Sequence, residues 1–136
     1  MERAIELAKE CFDDGEVPVG AVIVQNETII GEGKNKVILE NDVTSHAEIN
    51  AIRAASKKIK NYRLNDCSMY VSLEPCHMCA KAAVDARMSS VIFAASEPKT
   101  GSIISIDNFF DKKELNHNPA YQHGLLKDES SKLLKD

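Results

Sequence analysis

The stretch CSMYVSLEPCHMCAKAAVDARMSSVIFAA, at residues 67–95, decides the fold class. Its first seven residues, 67–73, predict a β-strand, and residues 90–95 predict another. Between them, a helix is predicted from Pro75 to about Arg87, because proline is favoured at the first helical position. A helix that links two consecutive strands brings them together in parallel. The stretch therefore predicts a strand–helix–strand unit of an α/β fold.

The residues before this unit predict a helix followed by a hairpin. Apolar residues recur at helical spacing over residues 2–13, which predicts an amphipathic helix. Residues 17–24 are short and rich in valine, which is typical of a strand. Residues 28–33 predict the second strand of a hairpin, with its turn at residues 25–27.

The remaining segments complete a layered fold. Residues 34–45 are polar and predict a loop, and a second helix is predicted from about His46 to Lys58. Residues 107–114 predict a short helix, residues 119–124 a fifth strand, and the leucines within 125–134 a closing helix. Together the elements predict an α/β fold, a three-layer αβα sandwich in which a mixed five-stranded sheet has helices on both faces.

Composition limits the classes of protein to consider. The chain has 136 residues, so residues 1–136 are expected to form one domain with an ordinary globular core. The formal net charge of −4 disfavours a protein that binds nucleic acid non-specifically, so any RNA binding would need a local patch and a shaped pocket. No secretory segment and no apolar run of membrane-spanning length is found, which predicts a cytoplasmic protein without membrane contact.

Three residues form a candidate metal centre. Cys76 and Cys79 are three residues apart, so their side chains would leave one face of the predicted helix, and the helix start favours thiolates. In a reducing cytosol a close cysteine pair is more typical of a metal or catalytic site than of a structural disulfide. His46 opens the preceding helix. One imidazole and two thiolates suit a catalytic Zn²⁺, which reserves its fourth position for water.

Glu48 follows His46 by two residues, and an ideal helix would not point both side chains the same way. A carboxylate beside the open zinc position would serve as the general acid/base for a zinc-activated water. The pattern H-x-E followed by P-C-x-x-C is the signature of zinc-dependent nucleobase deaminases, which attack the ring carbon that carries the amino group.

Each motif also has a simpler interpretation. Ser45 and Glu48 match a helix-capping box, so Glu48 could merely cap a helix. The Cys76/Cys79 pair could be a redox pair of a thiol oxidoreductase or part of a structural zinc site in an RNA-binding or scaffold subunit. Each alternative explains one motif, whereas a deaminase explains all of them together.

Several segments carry a resemblance to a known family. They include EVPVGAV at 16–22, HAEI at 46–49, NYRL at 61–64, LEPC at 73–76 and KTG at 99–101. The chain resembles the bacterial tRNA-specific adenosine deaminases of the cytidine deaminase-like superfamily, which convert the wobble adenosine of tRNA to inosine and release ammonia. That resemblance implies a homodimer that binds the tRNA anticodon stem-loop and one Zn²⁺ per subunit.

The resemblance also implies individual roles. His46, Cys76 and Cys79 would be the zinc ligands, and Glu48 would be the proton shuttle. The positions with implied substrate-binding roles are Asn35, Ala47, Glu74, Pro75, Lys99, Asn116 and His117. The chain departs from the family pattern at Lys81, at Glu97, after Gly101 and in its C-terminal segment, none of which affects the metal ligands.

Two matters of substrate stay open. A free-base or nucleoside deaminase of the guanine or cytosine type would use the same zinc chemistry, and it is the alternative function. Lys57, Lys58, Lys60 and Arg63 form a basic cluster that could contact RNA. Cations are equally favoured at a helix C-terminus, so the cluster alone does not decide the substrate.

Overall fold

A computed structural model describes residues 1–135 as a five-stranded sheet packed between helices. The elements are α1 (Glu2–Asp13), β1 (Gly20–Gln25), β2 (Thr28–Lys34), α2 (Val37–Glu40), α3 (Ala47–Ile59), β3 (Cys67–Leu73), α4 (His77–Asp85), β4 (Ser90–Ala95), β5 (Ala120–His123) and α5 (Lys127–Lys135). Within the described residues, no helix combines the length and the apolar character needed to cross a bilayer.

The sheet has the strand order β2-β1-β3-β4-β5. Strand β1 pairs antiparallel with both β2 and β3, whereas β3, β4 and β5 pair in parallel. The predicted mixed five-stranded sheet is therefore confirmed. Asn26 and Glu27 form the hairpin turn with φ angles of 51° and 65°, the left-handed pair that matches the twist of a two-residue hairpin.

Helices cover both faces of the sheet. Alternate strand residues, including Ile23, Met69 and Phe93, are buried in the main core beneath α3 and α4. The other face, which carries Val22 and Ile92, is covered by α1 and α5. This alternation is the period-two pattern of strands that are buried on both sides, and it produces the predicted three layers.

The first half of α3 lies directly against β2. A Cβ atom added to Gly33 would lie 2.2 Å from the carbonyl oxygen of Ala47 and 2.4 Å from the amide nitrogen of Ala51. Ala47 and Ala51 are themselves fully buried. Only glycine on the strand and alanine on the helix permit so close an approach. The contact therefore fixes where α3 starts, and His46 lies immediately before that start.

Two predictions for the segments on either side of the hairpin differ from the structure. The strand predicted at 17–24 begins only at Gly20, because Pro18 has no N–H for the ladder. The predicted loop 34–45 contains the short helix α2. Glu16 accepts the backbone N–H groups of Ile38 and Leu39 at 3.0 and 2.8 Å, so α2 is stabilised from outside its own sequence.

The predicted helix at 107–114 is also wrong, since only a 3₁₀ turn forms at Phe109–Asp111. Phe109 and Phe110 are both buried, whereas the charged residues that follow them, Asp111 to Glu114, are exposed, so packing does not favour further helical turns. The side-chain amide of Asn118 donates to the carbonyl of Phe110 at 2.8 Å and to that of Lys112 at 3.0 Å. These carbonyls are thus satisfied without a continuing helix.

Candidate metal centre and catalytic pocket

Two helix starts converge at the carboxyl end of β3. His46 is the N-cap of α3 (φ −76°, ψ 154°), and Cys76 is the N-cap of α4 (φ −73°, ψ 175°). Cys79 is the third residue of α4. The predicted position of Pro75 at the first helical residue is therefore wrong, because Pro75 precedes the cap. Neither helix has a side-chain cap, so their first-turn N–H groups remain a source of positive potential near the thiols.

The three side chains fit a tetrahedral zinc ion. Nδ1 of His46 lies 3.6 Å from Sγ of Cys76 and 3.5 Å from Sγ of Cys79. Zn–N bonds of about 2.05 Å and Zn–S bonds of about 2.3 Å at a tetrahedral angle place nitrogen and sulfur about 3.6 Å apart. All three donor atoms lie within 4.8 Å of one another, and no further His, Cys, Asp or Glu of residues 1–135 joins the group. Three protein ligands are the pattern of a catalytic centre.

The two thiols of the centre differ in acidity. Hydrogen bonds from Cys79 and then from His46 lower the pKa of Cys76 to about 4. The hydrogen bond to Cys76 and burial raise the pKa of the Cys79 thiol above its usual range. The hydrogen bond with Cys76 in turn raises the pKa of His46. The centre thus holds one thiolate readily, and the charge of a divalent cation would ionise the second thiol as well.

Glu48 lies in the same pocket as His46 and Cys76, and it is 4% exposed. His46 is in the extended conformation of an N-cap, so the usual helical divergence of side chains two residues apart does not apply to this pair. Burial, followed by repulsion from Cys76, raises the pKa of Glu48 to about 7. A carboxyl with a pKa near neutrality can both accept and return a proton.

The capping-box interpretation of Glu48 does not hold. The cap of α3 is His46 rather than Ser45, and the His46 side chain makes no cap hydrogen bond. The hydroxyl of Ser45 instead donates to Glu40 and accepts from the amide of Asn50 at 3.1 Å. Glu48 therefore does not form a capping box with Ser45.

The centre opens into a pocket of about 310 Å³. This volume is at the lower end of small-molecule sites. Apolar side chains form much of its wall. The lining residues are Glu16, Val17, Val19, Asn35, Val37, Ile38, His46, Ala47, Glu48, Leu73, Glu74, Cys76, Glu97 and Thr100.

The predicted substrate residues at this pocket have different surroundings. The amide of Asn35 donates to the carbonyl of Val17 at 3.1 Å, and its oxygen accepts the N–H of Val37 at 3.1 Å. Ala47 is fully buried against β2. Pro75 is buried behind the lining, and Lys99 is exposed beside Thr100 on the rim. The substrate roles of all these residues stay predictions.

The structure does not bring Asn116 and His117 to this pocket. Nε2 of His117 lies 2.5 Å from the carbonyl oxygen of Met88, just before β4 begins. The pocket lies at the other end of the parallel strands, and β4 with its six residues spans roughly 20 Å. Within one chain, residues 116–117 therefore lie near the opposite end of the parallel strands, and neither residue lines the pocket.

Comparison with known proteins agrees with this geometry. The profile of the MafB19-like deaminases matches residues 1–129. A tRNA-specific adenosine deaminase of Haemophilus influenzae is 47% identical over 135 residues, which are 98% of this chain and 78% of the relative. The chain belongs to the tRNA-specific adenosine deaminase family.

Similar solved structures include two kinds of deaminase. A structure from work on A-to-I editing by tRNA:A34 deaminases has a TM-score of 0.95 at 39% identity and covers 98% of this chain and 97% of that one. A guanine deaminase of Bacillus subtilis has a TM-score of 0.68 at 41% identity and covers 89% and 81% of the two chains. The first likeness confirms the predicted fold class.

Several residues that line the pocket of this deaminase were not predicted from the sequence. Glu16 and Val17 belong to the EVPVGAV segment, which served only as a family marker, and Ile38 lies in a segment predicted to be a plain loop. One signal was present for Glu16, an acidic residue that directly precedes the apolar run beginning with Val17 and Pro18. Nothing local indicated Ile38, because α2 depends on the distant Glu16.

Proposed function

We propose that this chain is a zinc-dependent hydrolase that converts adenosine to inosine at the wobble position of tRNA and releases ammonia. One observation carries the proposal. An imidazole and two thiols stand at tetrahedral zinc spacing, with the buried carboxyl of Glu48 in the same pocket. Membership of the tRNA-specific adenosine deaminase family supports adenosine in tRNA as the substrate.

Zinc, once bound by His46, Cys76 and Cys79, would supply Lewis-acid activation of water. Glu48 performs the proton transfers. Its carboxylate accepts a proton from the water as the water oxygen attacks the ring carbon that carries the amino group. Glu48 then delivers this proton to the adjacent ring nitrogen. It next takes the remaining proton from the hydroxyl group formed on the ring carbon and passes it to the departing amino group, so that water and adenosine become inosine and ammonia.

The pocket favours a single base taken out of its stack. Proteins that modify RNA bases act on unstacked bases in loops, where a base can turn out of the strand and enter a closed site. Val17 and Ile38 offer apolar surface to the ring, and Asn35 offers an amide at the same wall. The anticodon stem-loop of tRNA presents its bases in this way, and it is the proposed partner.

The assembly of the enzyme is part of the proposal. One Zn²⁺ per subunit is proposed because the described residues form one donor group, and zinc is the usual ion of a His/Cys/Cys catalytic site. Residues 1–136 are proposed to form one domain. The homodimer is proposed because the chain resembles the family. A cytoplasmic location is proposed because the substrate is tRNA and the four cysteines are free thiols.

A deamination assay tests the substrate. The purified protein, with its zinc content measured, is incubated with a stem-loop that carries adenosine at the wobble position, and inosine is read by sequencing. A stem-loop with guanosine at that position is the control. Stoichiometric zinc with no inosine would refute the proposed substrate.

The alternative free-base activity has specific support from the likeness to a guanine deaminase. Ammonia release is therefore measured with guanine, cytosine, their nucleosides and the stem-loop side by side. The proposal expects release only from the adenosine stem-loop. Release from free guanine at a comparable rate would favour the alternative.

A further inference from the structure

Glu74 is a buried carboxylate whose oxygens accept hydrogen bonds from one loop. It is 3% exposed and stands immediately before Pro75 and Cys76. Its donors are the backbone N–H groups of Glu97 (3.1 Å), Ile103 (3.0 Å), Ile104 (2.8 Å) and Ser105 (3.0 Å), together with the hydroxyl of Ser105. These contacts span the whole of the segment 97–105, which we call the rim loop.

The rim loop has little regular structure of its own. It contains neither a helix nor a ladder strand, and its Gly101 forms an isolated bridge to Cys76. Three consecutive N–H groups, from Ile103 to Ser105, converge on one oxygen of Glu74, which is the arrangement of a backbone anion nest. Because burial of a carboxylate is costly without such partners, the loop and the side chain stabilise each other.

Gly101 shows how closely the loop encloses this carboxylate. A Cβ atom added there would lie 2.3 Å from the carboxyl carbon of Glu74. Beside it, the N–H of Ser102 donates to the carbonyl of Pro75 at 2.9 Å. The rim loop is thus attached to the backbone segment that carries the ligand Cys76.

The rim loop in turn forms one wall of the catalytic pocket through Glu97 and Thr100. We propose that Glu74 is a positioning residue, which holds the rim loop in the shape that forms this wall beside the metal ligands. Both of its oxygens are occupied by loop donors, so it acts on the substrate through the loop and not by direct contact. The kinetic part of this inference rests on the proposed deaminase function.

Glu74→Gln tests the proposal, because glutamine keeps the size but places an NH₂ group where the nest needs an acceptor. Removal of a hydrogen-bonded charge of this kind corresponds to about a 10- to 100-fold effect. We expect KM for the deaminated substrate to rise by about tenfold or more, kcat to change by less than about threefold, and zinc content to stay unchanged. Glu32→Gln is the matched control, since Glu32 is also a hydrogen-bonded carboxylate (to Arg3) but does not line this pocket.

A second readout needs no substrate. Amide hydrogen exchange of peptides within 97–105, and tryptic cleavage after Lys99, should increase about tenfold or more in Glu74→Gln and stay at the wild-type level in Glu32→Gln. Unchanged exchange in the rim loop, or an equal increase throughout the chain, would overturn the positioning role. If hydrogen exchange increases only in the rim loop of Glu74→Gln while the wild-type protein shows no deaminase activity, the positioning role stands and the proposed function is refuted.

Ser105→Ala provides a variant that should fold even if Glu74→Gln does not. It removes the hydroxyl donor and leaves the four backbone donors in place. Exchange in the rim loop should rise by a smaller factor than in Glu74→Gln. The double variant should match Glu74→Gln alone, because both changes act on one contact. Independent, multiplicative effects of the two substitutions would count against the proposal.

Discussion

Replacement of Glu48 by glutamine is the most direct test of the proton shuttle, since glutamine fills the same space but cannot accept a proton. Loss of a general acid/base commonly lowers turnover by 10²–10⁴-fold. The other carboxylates of the pocket decide where in this range the effect falls. Glu16 accepts the N–H groups of Ile38 and Leu39, Glu97 accepts that of Lys99, and Glu74 is held by the rim loop.

Both oxygens of Glu16 and of Glu74 accept hydrogen bonds, and Glu97 is bonded through one oxygen, so each of these carboxylates already has a partner in the pocket wall. We therefore expect the upper part of the range, a loss of about 10³–10⁴-fold in kcat, or about 4–5 kcal/mol of transition-state stabilisation. The assay is single-turnover deamination of the wobble-adenosine stem-loop by wild type, Glu48→Gln and the control Glu32→Gln. Elemental analysis of the same samples measures the zinc content of each.

A Glu48→Gln protein with full zinc content and a rate within tenfold of wild type would refute the shuttle. Loss of zinc together with activity would instead assign Glu48 to metal retention. Full zinc with lost turnover separates the enzyme from a scaffold subunit, in which the metal serves only folding and the carboxylate has no task.

Four further outcomes are expected. Cys76→Ser should lower zinc to below about a tenth of an equivalent and abolish activity, as measured by elemental analysis, whereas activity lost on chelation of the wild type should return with added Zn²⁺. In chelator-treated protein, the pKa of Glu48 is about 7 in the folded state, above its ordinary value of 4.5, so its favourable contribution to stability is present below pH 4.5 and is lost as pH rises through 7. The unfolding free energy of Glu48→Gln minus that of wild type should thus grow by about 3 kcal/mol or less between pH 5 and 8, and a constant difference would contradict this. Gly33→Ala should destabilise the protein by about 3 kcal/mol in urea unfolding, because the new methyl group meets the backbone of Ala47. Glu27→Gly should stabilise it by about 1 kcal/mol, because the hairpin turn needs a positive φ there, and an unchanged Tm would refute that reason.

The sequence predicted the elements whose signals are local. Helix α1 and strands β3 and β4 have the predicted bounds of 2–13, 67–73 and 90–95. In each of them the apolar period agrees with the burial that the fold imposes, so local pattern and tertiary packing lead to the same result. The cysteine pair of the candidate metal centre was also predictable, because two cysteines at helical spacing need only one helix start to bring them together.

Elements that depend on distant partners could not be predicted. Helix α2 exists because Glu16, more than twenty residues earlier, accepts its N–H groups. The resemblance gave Asn116 and His117 a substrate-binding role, which stays a prediction, and neither residue lines the pocket of a single chain.

The relation of His46 to Glu48 shows a subtler limit. On an ideal helix, residues two apart diverge, and the sequence alone suggested that Glu48 would have to approach the metal from another direction. The N-cap conformation of His46 removes that geometric conflict. Cap geometry at one residue thus decides whether two functional groups share a pocket, and helical periodicity does not reveal it.

The backbone contact between Gly33 and Ala47 has a consequence for the loss and rebinding of the metal ion. No long side chain separates strand from helix there, so nothing at that point can rearrange and let the imidazole of His46 drift when the ion departs. Demetallated molecules should therefore keep a template ready for reloading. Inactivation by removal of the metal ion would then be reversible, and binding of a new zinc ion would restore activity without refolding.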